Sequence, residues 1–131
     1  MDYEIRIRFP VDDVVLSRLH GRAFGGNGER VHGWAAQLER HALTWVGAFD
    51  GSVLIGFVQV AWDGGVHAFI LDTAVDPAYR RRGIGRAVVR VAAEKAAAAG
   101  CEWLHVDFEP HLRAFYAACG FRPTDAGLIR L

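Results

Sequence analysis

Apolar and charged residues alternate along Tyr3–Phe9 (YEIRIRF), which places Tyr3, Ile5, Ile7 and Phe9 on one face of a predicted strand. Pro10 closes it, and Asp12 or Asp13 can cap a predicted helix through VVLSRLHGRAF. Gly25–Arg30 (GGNGER) reads as a loop, and a second helix follows near Val31–His41. The runs TWVGAFD and GSVLIGFVQVAW are rich in β-branched and aromatic residues and meet at Asp50-Gly51, a hairpin turn pair. Asp63-Gly64-Gly65 turns the chain again into VHAFILDTAV, giving an antiparallel meander of three strands.

Beyond Asp76-Pro77 the period changes from two to helical. From Gly85 to Ala99, Val88, Val91, Ala92 and Ala96 share one face, Arg90 and Glu94 pair on another, and Gly100 is the expected stop. The next strand, CEWLHVDF, must lie parallel to AFILDTAV because a helix crosses between them. A short helix, HLRAFYAAC, stops at Gly120, and AGLIRL can add a last strand. The pattern is that of one α/β domain over residues 1–131: a mixed, mostly antiparallel sheet flanked by helices.

Composition narrows the function classes. The 131 residues carry fifteen basic and fifteen acidic side chains, a formal net charge of zero, which argues against coating nucleic acid. The mixed, charged start reads as no signal peptide, and no apolar run approaches the ~18 residues of a membrane span. Cys101 and Cys119 lack a CxxC spacing, so neither a metal site nor a disulfide framework is expected. A cytoplasmic protein with reduced thiols follows as the expectation.

The stretch AVDPAYRRRGIGRAVV holds the densest chemistry. A strand, a turn with Gly83 and Gly85, and then a helix leave backbone N–H groups pointing outward at a helix start, where they and the helix dipole favour a bound anion. The two glycines let the main chain approach phosphate oxygens without a Cβ in the way. Val88 stands where the dinucleotide fingerprint GxGxxG needs its third small residue, and the Walker loop is absent. Arg80, Gly83 and Gly85 instead meet [Q/R]xxGx[G/A], and LDTAVDPAYRRRGIG resembles the strand-into-turn sequence of the GNAT superfamily of N-acetyltransferases. RAFYAACGF is similar to that family's second signature, a short helix with an aromatic-Tyr pair ending at Gly-Phe.

The resemblance implies a GNAT fold whose parallel strand pair splays apart, with acetyl-coenzyme A as cosubstrate. By analogy, the backbone of Ala74 and Val75 pairs with the pantetheine arm, with Val75 N–H as oxyanion donor. The N–H groups of Arg81, Arg82, Gly83, Ile84, Gly85, Arg86 and Ala87 hold the pyrophosphate, with Arg80 completing the signature. Tyr116 matches the tyrosine that protonates the departing thiolate; a phenol near pKa ~10 can donate to a thiolate whose acid is near ~8.5.

An acceptor amine of pKa ~10.4 must lose a proton, at a cost of about 4–5 kcal/mol at neutral pH. Asp72, a lone acid within FILDTAV, is the first candidate to take it, with Asp107 and Glu109 at the end of the fifth strand, facing the splay, as further acids and His67 as a relay. Trp34, beside the glycine loop, is either core or a substrate wall, and Cys119 reads as an inert thiol. The expected activity is acetyl transfer to a primary amine of a small molecule or peptide, by direct attack. The alternative is an acyl-coenzyme A-binding module of the same fold without turnover. No metal, nucleic-acid or membrane partner is expected, and the last strand can pair with a second copy as a homodimer.

Overall fold

The computed structural model describes residues 2–26 and 28–131. In chain order it contains β1 (Glu4–Ile7), α1 (Asp13–Ala23), α2 (Trp34–His41), β2 (Ala42–Asp50), β3 (Val53–Trp62), β4 (His67–Val75), α3 (Ile84–Ala98), β5 (Trp103–His105) and α4 (Arg113–Ala118). Strand order equals chain order: β1 to β4 pair antiparallel, and β5 joins β4 in parallel. The sheet is the mixed, mostly antiparallel one that the pattern predicts.

Alternation within β2 and β3 divides the core between the two faces. Val46, Ala48, Ile55, Val58 and Val60 meet Ile84, Val88, Ala92 and Ala96 of α3 on one side. Trp45, Phe49, Leu54 and Phe57 meet Leu16 and Leu19 of α1 and Trp34 and Leu38 of α2 on the other. Each buried Leu or Val contributes about 1.5–3 kcal/mol over an exposed one, so both faces anchor their helices firmly. Asp12 caps α1, its carboxylate accepting from Val14 N–H at 2.9 Å and Val15 N–H at 3.1 Å.

Three expectations need correction. Phe9 does not share a face with Tyr3 and Ile5, which pack under α3; it lies among the α1–α2 side chains. Arg8 takes a left-handed backbone (φ 51°) and its N–H donates to Trp45 O at 2.8 Å, so the chain turns over before Phe9. The fifth strand is three residues rather than eight, and its chain leaves β4 after the Phe69–His105 pair. AGLIRL forms no strand: residues 121–131 are irregular, with Leu128 and Ile129 more than four-fifths exposed. A strand needs a partner edge of matching length, and β5 offers one of three residues.

Among the described residues no helix is long and apolar enough to cross a membrane, and no cluster of three or more metal-ligating side chains occurs. Both cysteines are free thiols. Asn27, within the glycine loop, lies outside the described residues.

Candidate active site

The arginine–glycine turn begins where Asp76 ends β4. Its N–H donates to Ile55 O at 2.8 Å, and its carboxylate accepts from Ala78 N–H and from Arg22 of α1, each at 3.0 Å. A short 3-10 turn, Pro77–Tyr79, follows. Arg81 (φ 64°) and Gly83 (φ 77°) are both left-handed, and this alternation bends the chain into a concave run of amides. Gly83 caps α3 without a side-chain hydrogen bond. Ala87 N–H closes the first turn onto Gly83 O at 3.0 Å, so it is spent within the helix. The N–H groups of Ile84, Gly85 and Arg86, which precede it, have no acceptor inside the helix. Arg80, Arg81, Arg82 and Arg86 are exposed around them, and Arg82 rests 5.4 Å from the Tyr79 ring centroid. Free donors, a helix start and surrounding positive charge fit a pyrophosphate.

The two glycines differ in role. A Cβ at Gly83 would meet nothing within 4 Å, which leaves its outer face open for a ligand. A Cβ at Gly85 would lie 3.1 Å from the Phe115 ring and 3.3 Å from Val75 Cγ2. Gly85 therefore lets α3 approach α4 and β4; the space it keeps free is occupied by protein rather than by phosphate. Gly85→Val is accordingly expected to lower the melting temperature of the ligand-free protein by several degrees. Gly83→Val strains the left-handed backbone and so also costs stability, but it alone adds a Cβ in the open space, so its loss of coenzyme A affinity should be the larger. Thermal melts and calorimetry separate the two, and an unchanged melt for Gly85→Val would refute the packing role. Ile84 is likewise divided: its side chain is buried in the core, and only its backbone can face a ligand.

Four residues before the turn, β4 carries a bulge. Gln59 of β3 pairs with Leu71, but Phe57 pairs with Ala74, so Asp72 and Thr73 together oppose Val58. Asp72 is left-handed (φ 58°), a conformation that Asp and Asn tolerate better than most residues. The bulge turns its carboxylate toward α1, where His20 Nε2 lies 3.0 Å from one oxygen and Gln59 Nε2 donates to the other at 2.8 Å. Burial pushes the Asp72 carboxyl up; the bonds from His20 and Gln59 and the nearby His20 and His32 imidazoles outweigh it and hold it below the usual range. The lone acid in an apolar strand is thus paired on both oxygens.

His20 also lines a cavity of about 230 Å³ between α1 and the chain leading to α2, together with Ser17, Arg30, His32 and Trp34. Its ring packs 4.4 Å from Phe24 and 5.0 Å from Trp34, which fixes its plane. Trp34 is 5% exposed and belongs to the core, and it also lines this cavity.

Thr73 points the other way, toward α4. Its hydroxyl is buried, makes no hydrogen bond of full geometry, and lies close enough to Tyr116 to affect the phenol. Tyr116 is buried, with Phe108, Phe115 and Phe121 around it at centroid distances of 4.9, 4.8 and 5.7 Å. Burial raises the pKa of its phenol above the ordinary tyrosine value; Thr73 offsets part of this, and Cys119 and Asp107 add to it. The Cys119 thiol is raised by burial too, against the pull of Arg86, in keeping with an inert role. β5 pairs with β4 only through Phe69, so Ile70–Val75, which includes Ala74 and Val75, has no strand on that side. This is the splay, and the bulge and Tyr116 border it.

Two of the sequence candidates are not brought to this place. Glu109 is exposed on the approach to a 3-10 turn, and among the described residues no contact ties it to Tyr116 or Asp72. Asp107 is the acid whose charge reaches Tyr116. His67 starts β4, about 26 Å of extended strand from Val75, and its Nδ1 lies 2.8 Å from His105 Nε2 at the opposite end of the sheet. His20 and Gln59 were missed. Gln59, the lone uncharged polar side chain in VLIGFVQVAW, carried a signal of the same kind as Asp72. His20 carried only its place one helical turn after buried Leu16.

The chain matches the Acetyltransferase (GNAT) family model over residues 15–121, and it belongs to that family. A rice protein (Oryza sativa subsp. japonica) named "Probable glucosamine 6-phosphate N-acetyltransferase 2" is 48% identical over 58 residues. The match covers 44% of this chain and only 35% of the rice protein. A solved structure assigned as an acetyltransferase of Agrobacterium tumefaciens superposes with a TM-score of 0.85 at 27% identity, covering 98% of this chain and 99% of that one. The PaiA N-acetyltransferase of Thermoplasma acidophilum, solved in complex with coenzyme A, shares the fold (TM-score 0.79, 19% identity, 97% and 94% covered).

Proposed function

We propose that the chain transfers acetyl from acetyl-coenzyme A to a primary amine of a small molecule or peptide, by direct attack and without a covalent enzyme intermediate. One observation carries the reading: a single bulge sends Asp72 to His20 at the cavity and its neighbour Thr73 to Tyr116 at the splay. The free amides at Ile84–Arg86, in the run that begins at Arg81, hold the pyrophosphate, and the unpaired segment with Ala74 and Val75 receives the arm. When bound, acetyl-coenzyme A supplies the activated acyl group. Asp72, acceptor-only when ionised, fixes a hydrogen on His20 Nε2 and leaves Nδ1 to take the proton of the incoming amine. Tyr116, kept protonated by burial, gives its proton to the departing thiolate.

The test is thiol release from acetyl-coenzyme A against polyamines, aminoglycosides, arylalkylamines, amino acids and peptides, with mass spectrometry of the acetylated product. Acetylation of an amine that fails in Tyr116→Phe supports the reading. Tight coenzyme A binding with no transfer to any of these classes would replace it with a binding module.

A further inference from the structure

We propose that the acceptor is an amine that also carries an oxyanion, a phosphate monoester or a carboxylate, held at the end of the cavity away from Asp72. The inference rests on the transfer reading above and deepens it. The sequence alone, with Asp72 and Glu109 near the site, suggests a cationic acceptor. The structure reverses that charge balance. Asp72 stands behind His20 with both oxygens engaged, and Glu109 does not line the cavity. Among the described residues no acid lines the cavity, whereas Arg30, His32 and His20 do.

A second observation points to an acceptor atom on the ligand. The Trp34 indole N–H is buried, has no hydrogen-bond partner among the described residues, and belongs to a side chain that walls this cavity. Indole N–H is donor only, so an ammonium cannot satisfy it and an oxygen can. A buried donor left without a partner is costly, and binding that supplies one removes the cost. Arg30 forms no ion pair among the described residues, so its guanidinium is available to an oxyanion at the cavity mouth. His32, which also lines the cavity, is held in place, its backbone N–H donating to Ser17 Oγ and its Nε2 bonded to Gln37 Oε1. The cavity of about 230 Å³ matches the liquid volume of roughly eight waters, at about 30 Å³ each, which is room for a small amine with one oxyanion group. Its amine sits at His20 and its oxyanion at Arg30.

The experiment compares small primary amines that differ in their second group: O-phosphoethanolamine, β-alanine, ethanolamine and, as a second cation, cadaverine. Either oxyanion amine should exceed both cations in kcat/KM by about ten- to a hundredfold, the scale of a charge-assisted hydrogen bond. The larger of the two identifies phosphate or carboxylate. Arg30→Gln should raise KM for the oxyanion amines about tenfold more than for ethanolamine. Cadaverine or ethanolamine as the best acceptor, or an Arg30→Gln variant with unaltered preference, would overturn the proposal. A binding arm keeps it separate from catalysis. O-phosphoethanolamine and β-alanine are titrated by calorimetry into the protein saturated with coenzyme A. Binding weakened by Arg30→Gln supports the oxyanion site even if no amine is acetylated, and absence of binding by both overturns it even if transfer is found.

Discussion

Tyr116→Phe is expected to lower kcat by about 10²- to 10⁴-fold, the usual range for a lost general acid, while coenzyme A affinity and the melting temperature stay near wild type. The substitution removes one oxygen and leaves the ring among Phe108, Phe115 and Phe121. Because the phenol's nearest polar neighbour, Thr73, is not in a full hydrogen bond, its removal strands no strongly paired group. The pH profile distinguishes the chemical role from a packing role. Burial raises the phenol above its ordinary value near 10, so the donor stays protonated through the whole neutral range. Wild-type activity should hold to that alkaline limit and then fall, and the Phe variant should lack this limb. A Phe variant with wild-type kcat across pH would remove Tyr116 from the chemistry.

Asp72→Asn should be equally damaging to transfer and mild to the fold. Asn accepts the left-handed bulge as readily as Asp, so φ 58° costs it little. It loses the charge that fixes the His20 tautomer, and amine transfer should fall by about 10²–10⁴-fold with coenzyme A binding kept. Raising the pH should rescue part of the loss, since the amine then arrives already deprotonated. His20→Ala should show the same rescue. Asp72→Glu provides the opposite control: it keeps the charge but is longer and ill suited to the bulge, so it should lose stability first.

Acid titration gives a further reading on Asp72. Its folded value lies below the ordinary one, so the ionised network stabilises the protein above about pH 4 and is lost as pH falls through the lower folded value. The variant Asp72→Asn should therefore have a flatter melting curve against pH at the acid end. Transfer by Asp72→Asn at the wild-type rate would pass the role to Asp107 or Glu109.

The elements of the sheet were legible because β2 to β4 are bounded by Asp50-Gly51 and Asp63-Gly64-Gly65 and filled with alternating core residues. The arginine–glycine turn ahead of α3 was legible because its signal is local: two glycines, a run of arginines and the start of an apolar helical period. What failed depended on backbone angles or on distant partners. Nothing in YEIRIRF marks Arg8 as left-handed, and that one residue carries Phe9 to the other face. Gly85 looked like a phosphate glycine because spacing cannot show that Phe115, thirty positions away, fills the room above it. Asp72 was singled out for its charge in an apolar strand, but its partner His20 lies 52 residues earlier on a helix that only the folded sheet brings across. AGLIRL has the composition of a strand and lacks an edge to join.

The bulge at Asp72 and Thr73 has a consequence for proton traffic. Adjacent residues on an unbroken strand also point to opposite faces, but there Asp72 would face α3 and Thr73 would face α1. The left-handed residue exchanges them, so the imidazole and the phenol of the proposed mechanism approach one reacting carbon at the open edge of β4 from its two sides. The proton removed from the amine and the proton given to the thiolate are then different protons, drawn from separate reservoirs. Each must be renewed through its own opening to water before the next turnover, His20 through the cavity and Tyr116 through the splay.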